Sequence, residues 1–369
     1  MSGQKLRILH IYPKADYFTG AAIQLHDLAR ALVARGHRVA VVTRPSDIWA
    51  RRCREANIPY YSLPMRSELD ARSVAGLFRI LRSERAEVVH CHKGRARTLA
   101  ILAGLFVKVP VLILNRGVSF PLGPFNRLGY TTRRLTTIVA VSHSIKRGLV
   151  SQGVPAEKIE VIHSGTDTDR FHPSLDGSSV RAELGLTPQD FLVTQVGVRS
   201  WRGNDDVLEA MRLVARAAPR PRLLIVGARG PDALYEKARV RGLNGRVYVF
   251  GYRKDIHQIL AASDLTVDAP YAGVGLTGSL RESLAVETPV IGTDVAGIPE
   301  LIQDGETGLL VSPHNPEALA QAILRIMEDP VKAKEMARAG RKLVETEFSM
   351  RAKTERTEAL YSRLLAERR

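Results

Sequence analysis

Residues 272–285 read AGVGLTGSLRESLA. Gly273, Gly275 and Gly278 leave the backbone bare there, so its amides can approach a ligand closely. A helix opening at Leu276 adds the partial positive charge of its first turn, and a diphosphate is the natural guest of such a place. Glu282, on the same broad face as Gly275, Gly278 and Ser279, could accept hydrogen bonds from ribose hydroxyls. Upstream, the segment VGVRSWRG at 196–203 brings Arg199 and Arg202 to the end of a candidate strand. Arginine side chains carry planar donor forks of the kind that suit phosphate oxygens. Plainer alternatives exist for both runs: a glycine-rich turn with a surface glutamate, and two solvated arginines.

Other chemistry is thinner. His90 and His92 flank Cys91, and alternation puts both imidazoles on one face of a strand end, without a third ligand. No metal site and no cofactor is expected. Cys53 and Cys91 lie apart with no metal-type spacing, which argues against a disulfide framework and fits a reducing, cytoplasmic setting. Asp16 and Asp268 stand near strand ends, but nothing singles out either. No carboxylate pair of the kind that retaining hydrolases use stands out.

The elements that must position these residues form a repeated alternation. Apolar runs at 6–12, 38–43, 60–64, 86–92, 109–114, 137–142 and 159–163 read as strands, with helical stretches such as 21–35 between them. Residues 164–190, with Gly165, Pro173, Gly177 and Pro188, read as a linker. A second series follows, with strands at 191–198, 222–227, 246–250, 265–269 and 289–293 and helices at 205–218, 231–241, 256–262 and 276–286. Amphipathic helices at 317–327 and 331–345 come near the end. The β-α-β order predicts an α/β fold with two Rossmann-like parallel-sheet domains facing a central cleft, the ligands lying outside the carboxyl ends of the strands.

Several motifs in the same order resemble glycosyltransferase family 4, which has the GT-B fold. The donor-binding region resembles residues 272–285 together with TPVIGTDVAGIPE at 288–300 and DGETGLLV at 304–311. Gly20-Ala21-Ala22 resembles the family's N-terminal glycine loop, and RGHRV at 35–39 its next strand. VIHSGTDTDRF at 161–171 resembles the inter-domain crossing, with Ser164 where asparagine is usual. The resemblance implies a glycosyltransferase that retains anomeric configuration and takes a nucleotide diphosphate sugar. By the same resemblance Glu282 holds the ribose, Gly275, Leu276 and Thr277 offer amides to the diphosphate or sugar, and Arg199 and Arg202 supply the two cations. Gly251-Tyr252-Arg253 resembles the base-binding turn, and Gly20 and Ala21 face the donor from the N-terminal side. Three departures stand out. Val274 occupies the place of the first of two glutamates eight positions apart, and Arg116 stands near the usual place of a histidine, beside Ser119 and Phe120 as acceptor-side candidates. Ala21 replaces a glycine. These leave open a catalytically weak protein that binds nucleotide or a partner; a nucleotide-sugar epimerase of the same fold is another alternative. The expected domains are residues 1–168 for the acceptor, 169–345 for the donor, and a C-terminal helix within 346–369 packing back on the first.

The formal net charge is +16, and no apolar run approaches the about 20 residues of a membrane span. Arg79, Arg82, Arg85, Lys93, Arg95, Arg97, Arg127, Arg133, Arg134, Lys146 and Arg147 concentrate base in the first half, beside an apolar loop at 120–125. That combination suits peripheral contact with an anionic membrane surface and a lipid-linked or lipopolysaccharide-type glycan acceptor. Aromatic residues are only 6 % of the chain, too few for stacking platforms, so no nucleic-acid partner is expected.

Overall fold

The computed structural model describes residues 5–16, 19–273 and 275–368, and the chain divides into two units, 1–165 with 350–369 and 166–349. Val274 and the side chain of Phe125 lie outside what is described.

The first unit holds strands β1 (Arg7–Tyr12), β2 (Arg38–Thr43), β3 (Tyr60–Ser62), β4 (Val88–Cys91), β5 (Val111–Arg116), β6 (Thr137–Ala140) and β7 (Ile159–Val161). Its helices are α1 (Gly20–Ala34), α2 (Asp47–Glu55), α3 (Ala71–Glu84), α4 (Gly94–Ala103), α5 (Pro124–Thr131) and α6 (His143–Ser151). The second unit has α7 (Ser178–Glu183), β8 (Phe191–Val196), α8 (Asn204–Ala217), β9 (Pro221–Val226), α9 (Asp232–Val240), β10 (Val247–Phe250), α10 (Ile256–Ala262), β11 (Leu265–Asp268), α11 (Gly278–Ala285), β12 (Val290–Thr293), β13 (Leu309–Val311), α12 (Pro316–Glu328) and α13 (Pro330–Glu347). The last helix, α14 (Met350–Ala366), belongs to the first unit.

The sheets run β3-β2-β1-β4-β5-β6-β7 and β10-β9-β8-β11-β12-β13, every pair parallel. Central strands such as β4 and β12 are buried along their whole length, as a sheet covered on both faces requires. Ser46, Asp70 and Ser142 cap α2, α3 and α6 by accepting from a first-turn amide, so the polar residue before each apolar period fixes where the helix begins. In each sheet the strand order reverses direction once, between β1 and β4 and between β8 and β11. Ligands of open α/β sheets bind at such a switch point, off the carboxyl ends of the strands.

Three expectations need correction. Residues 166–190 are no linker, since Phe171 is buried in the second unit's core and 178–183 form a helix. The helix expected from Leu276 starts at Gly278, because Thr277 takes the extended conformation of an N-cap. Gly275 therefore lies in the loop ahead of the helix. The apolar loop expected at 120–125 ends at Gly123, since Pro124 is the first residue of α5 and its fixed φ suits that position.

Helix α14 packs on α1 within the first unit. Its Tyr361 is fully buried and its hydroxyl lies 2.6 Å from His90 Nδ1. Lys353 Nζ donates to the carbonyl and Oε1 of Gln24 at 3.0 and 2.9 Å. Glu358 accepts from Arg35 at 2.5 Å and lies 3.0 Å from His37 Nε2.

Candidate functional site

In the second unit the switch point falls between the two arginine- and glycine-bearing loops. The loop after β8 carries Gly197, Arg199, Arg202 and Gly203, and the one after β11 runs from Ala269 to the first turn of α11. Gly203 has φ +64°, and a Cβ there would sit 1.9 Å from the Ala269 carbonyl oxygen, so only glycine lets the two loops close up. Tyr271 N donates to the Trp201 carbonyl at 3.1 Å, and the Tyr271 hydroxyl donates to the Ser200 carbonyl. Asn204 Nδ2 donates to Gln195 Oε1 at 2.8 Å, whose own Nε2 donates to the Arg202 carbonyl at 2.9 Å.

The two arginines differ in setting. Arg199 is exposed, and its guanidinium donates to the neighbouring Val198 carbonyl at 2.8 Å. Arg202 is mostly buried and donates from Nη1 to Asp268 Oδ2 at 2.5 Å and from Nη2 to the Val196 carbonyl at 3.1 Å. Its guanidinium lies across Gly197, where a Cβ would meet Nη2 at 2.9 Å. Sequence reasoning did not single out Asp268. It is fully buried at the end of β11, and burial raises its pKa against the opposing pull of Arg202.

On the α11 side, Thr277 makes no side-chain cap bond, so its hydroxyl does not close off the first-turn amides. Gly275 is buried and Leu276 half-buried. Glu282 lies half-buried with its carboxylate over the first turn; a Cβ on Gly278 would be 3.6 Å from its Oε1. Gly251 and Tyr252 are exposed after β10, and Gly227 N donates to the Gly251 carbonyl at 3.1 Å. Gly227, with φ +96°, sits beside Gly197, so β8 and β9 both leave the sheet through a glycine of positive φ and β10 through Gly251. Sequence reasoning missed Gly227. Arg253 is committed elsewhere, forming a fork to Glu183 at 2.6 and 2.9 Å and bonding Asp255 at 2.6 and 2.8 Å. In this structure it braces the turn.

In the first unit the switch point lies between β1 and β4. Gly20 and Ala21 open α1, capped by Thr19, and neither has a positive φ, so alanine at position 21 carries no backbone strain. Lys93 follows β4 with φ +133°, a strained setting for a side-chain-bearing residue at the carboxyl end of the sheet. Lys14, Asp16 and Arg116 lie near enough to shift its ammonium pKa, which burial lowers first. Arg116 ends β5, donates to the Phe120 carbonyl and to Tyr130 Oη at 3.3 Å, and so folds the 117–120 loop back on the sheet. Ser119 is half-buried and Phe120 is 42 % exposed. Arg97, counted with the basic surface, is buried against the Tyr130 ring and belongs to the core.

The expectation that His90 and His92 lack a third ligand is overturned. His10 pairs with His90 in the β1–β4 register, and ligand nitrogens of His10, His90 and His92 lie within 4.8 Å of one another. His10 Nδ1 is 3.0 Å from His92 Nε2. Burial lowers all three pKa values, His10 to about 3, and the charge of Lys353 adds to the effect. Three neutral imidazoles are a donor set able to hold a transition metal, but the neighbouring ammonium opposes any cation there.

Residues 18–170 match the model described as Glycosyltransferase Family 4, and residues 191–329 the one described as Glycosyl transferases group 1. The alpha-maltose-1-phosphate synthase of Mycolicibacterium smegmatis is 30 % identical over 327 residues, covering 79 % of this chain and 83 % of that relative. The chain belongs to glycosyltransferase family 4. A D-inositol 3-phosphate glycosyltransferase of Rhodococcus erythropolis is 34 % identical over 197 residues, which are 50 % of this chain but 44 % of that protein. The chain superposes on the Anabaena protein HepE in complex with UDP at a TM-score of 0.86 and 21 % identity, covering 98 % and 100 % of the two chains. WaaG, a glycosyltransferase involved in lipopolysaccharide biosynthesis, gives 0.72 and 20 %, covering 96 % and 99 %. The two parallel-sheet units are thus those of the GT-B fold, and the family 4 chain is a glycosyltransferase.

Proposed function

We propose that this family 4 enzyme transfers a sugar from a nucleotide diphosphate donor to a glycan acceptor with retention of configuration. The observation that carries the donor reading is the meeting of Arg202 and the uncapped start of α11 at the β8–β11 switch point. A diphosphate bridging them meets a guanidinium on one side and helix amides on the other. The UDP held by HepE supports a pyrimidine nucleotide as the first ligand to try. Glu282 then receives the ribose hydroxyls, with Gly251 and Tyr252 bordering the base.

In the proposed step the acceptor oxygen forms its bond to the anomeric carbon on the face that the diphosphate leaves. The bond from that carbon to the diphosphate oxygen breaks, and the acceptor's proton passes to a diphosphate oxygen. Arg199, Arg202 and the α11 amides stabilise the charge that develops, so the transfer needs no metal and no side-chain base. Isothermal calorimetry with UDP tests the donor site. Glu282→Ala is expected to weaken binding by about 1.5–3 kcal/mol, the worth of hydrogen bonds to a charged group. Parental affinity in a folded variant would remove Glu282 from the ribose.

The acceptor is proposed to be lipid-linked or of lipopolysaccharide type, met at an anionic membrane surface. Support comes from the +16 charge, from exposed Arg79, Arg82, Arg85, Arg127, Arg133 and Arg134 in the first unit, and from its Phe106 and Phe120, which are 72 % and 42 % exposed. Among the described residues no helix is long and apolar enough to cross a membrane. Attraction screened over about 8 Å at physiological salt predicts co-sedimentation with anionic but not neutral vesicles, weakening as salt rises. Indifference to anionic vesicles at low salt would leave a water-soluble acceptor.

A further inference from the structure

We propose that Asp268 is a positioning residue of the transfer reaction, holding Arg202 and the start of α11 in one rigid phosphate cradle. This rests on the donor reading above. Asp268 ends β11, the strand beside β8, and no part of it is exposed. Its Oδ2 takes the 2.5 Å bond from Arg202 Nη1 and lies 3.5 Å from Ser279 Oγ in the first turn of α11. The Thr277 hydroxyl, buried at the N-cap of α11, acts on the same carboxylate together with Ser279 and Arg202. One carboxylate thus faces both sides of the cradle, the arginine loop and the helix start.

Stability alone does not account for such a group. A buried ion pair is often no more stabilising than apolar side chains of the same volume, because desolvation offsets the attraction. What the pair provides is aim. With one edge fixed by Asp268 and Val196 O, the remaining N–H donors of Arg202 have a fixed direction. An arginine set before the reaction needs no reorganisation when the diphosphate gains charge. Gly197 under the guanidinium and Gly203 against Ala269 O remove the side chains that would push it away.

The test is a double-mutant cycle on the full chain, measuring turnover, donor KM and unfolding midpoint. Asp268→Asn keeps the shape and removes the charge. It is expected to lower kcat about 10- to 100-fold, somewhat less than loss of a catalytic donor itself, with donor KM changed far less. In an Arg202→Gln background the same Asp268→Asn change should have no further effect on kcat, because its work runs through Arg202. If the two losses multiply, or if Asp268→Asn has parental turnover, the proposal is overturned. Should Asp268→Asn fail to fold, Arg202→Gln/Asp268→Asn places two neutral hydrogen-bonding groups in the same space; turnover equal to Arg202→Gln supports the proposal and a further drop overturns it. If Arg202→Gln alone turns over at the parental rate, the donor reading has failed instead, which is a separate outcome.

Discussion

Arg199→Ala is expected to slow sugar transfer about 100- to 1000-fold, the usual cost of removing one donor to charge that develops in the transition state. Arg199 is exposed and its one described bond is to the adjacent carbonyl, so its loss should change folding stability by no more than about 0.5 kcal/mol. Arg202→Ala should slow transfer at least as much, but it also strips Asp268 of its partner in a fully buried place. Removing one member of a buried pair costs about 3–5 kcal/mol, so this variant should lose stability as well as rate. Single-turnover transfer assays alongside denaturant unfolding separate the two. A chelator should leave wild-type transfer intact, since in the proposed step guanidinium groups and not a metal answer the charge. Parental transfer by both variants would put the phosphate clamp elsewhere.

The contrast between the two arginines follows from what a sequence can carry. Both stand in one loop, three positions apart, in a segment that the family resemblance makes legible, and the strand before them is plain from its apolar run. That one is solvated and the other buried depends on β8 lying beside β11, a neighbour about 72 residues downstream in the Leu265–Val193 to Thr266–Thr194 register, so pairing distance hides the Asp268 contact. His10 escaped for the same reason. It reads as one histidine in an apolar run, and only the His10–His90 register of parallel strands brings it to the other two. Local signals did better where an apolar run alone decides, as with the strand expected and found at Arg38–Thr43. They misled at Leu276, whose apolar side chain fits helix periodicity while its packing against the second unit's core is made from the loop. The short strand β13, three residues beside β12, has too few positions for any period to register.

Unfolding of the first unit should grow easier as pH falls from about 6.5, well before its carboxylates begin to protonate near 4.5. The cause is the cluster of His10, His90 and His92. Unfolded, each imidazole takes a proton below its ordinary pKa. Folded, burial and Lys353 hold all three neutral, His10 down to about 3. The folded pKa values are lowered, so the stability these groups allow is present above pH 6.5 and is lost progressively as pH falls toward the folded values. Each imidazole protonated only in the unfolded chain contributes a slope of about 1.4 kcal/mol per pH unit. Tyr361 on α14 shares the cluster through His90 Nδ1, so the C-terminal helix should loosen with it. Trp49, buried beside Tyr12 and in the same unit, reports that unfolding in a Trp201→Phe background, where it is the sole tryptophan. The urea midpoint followed by its fluorescence should drop between pH 6.5 and 5, and His10→Gln should remove one imidazole's share of the slope. A flat midpoint across that interval in the wild-type chain would mean that the cluster takes up protons without unfolding, and the imidazoles would then not be held neutral by burial.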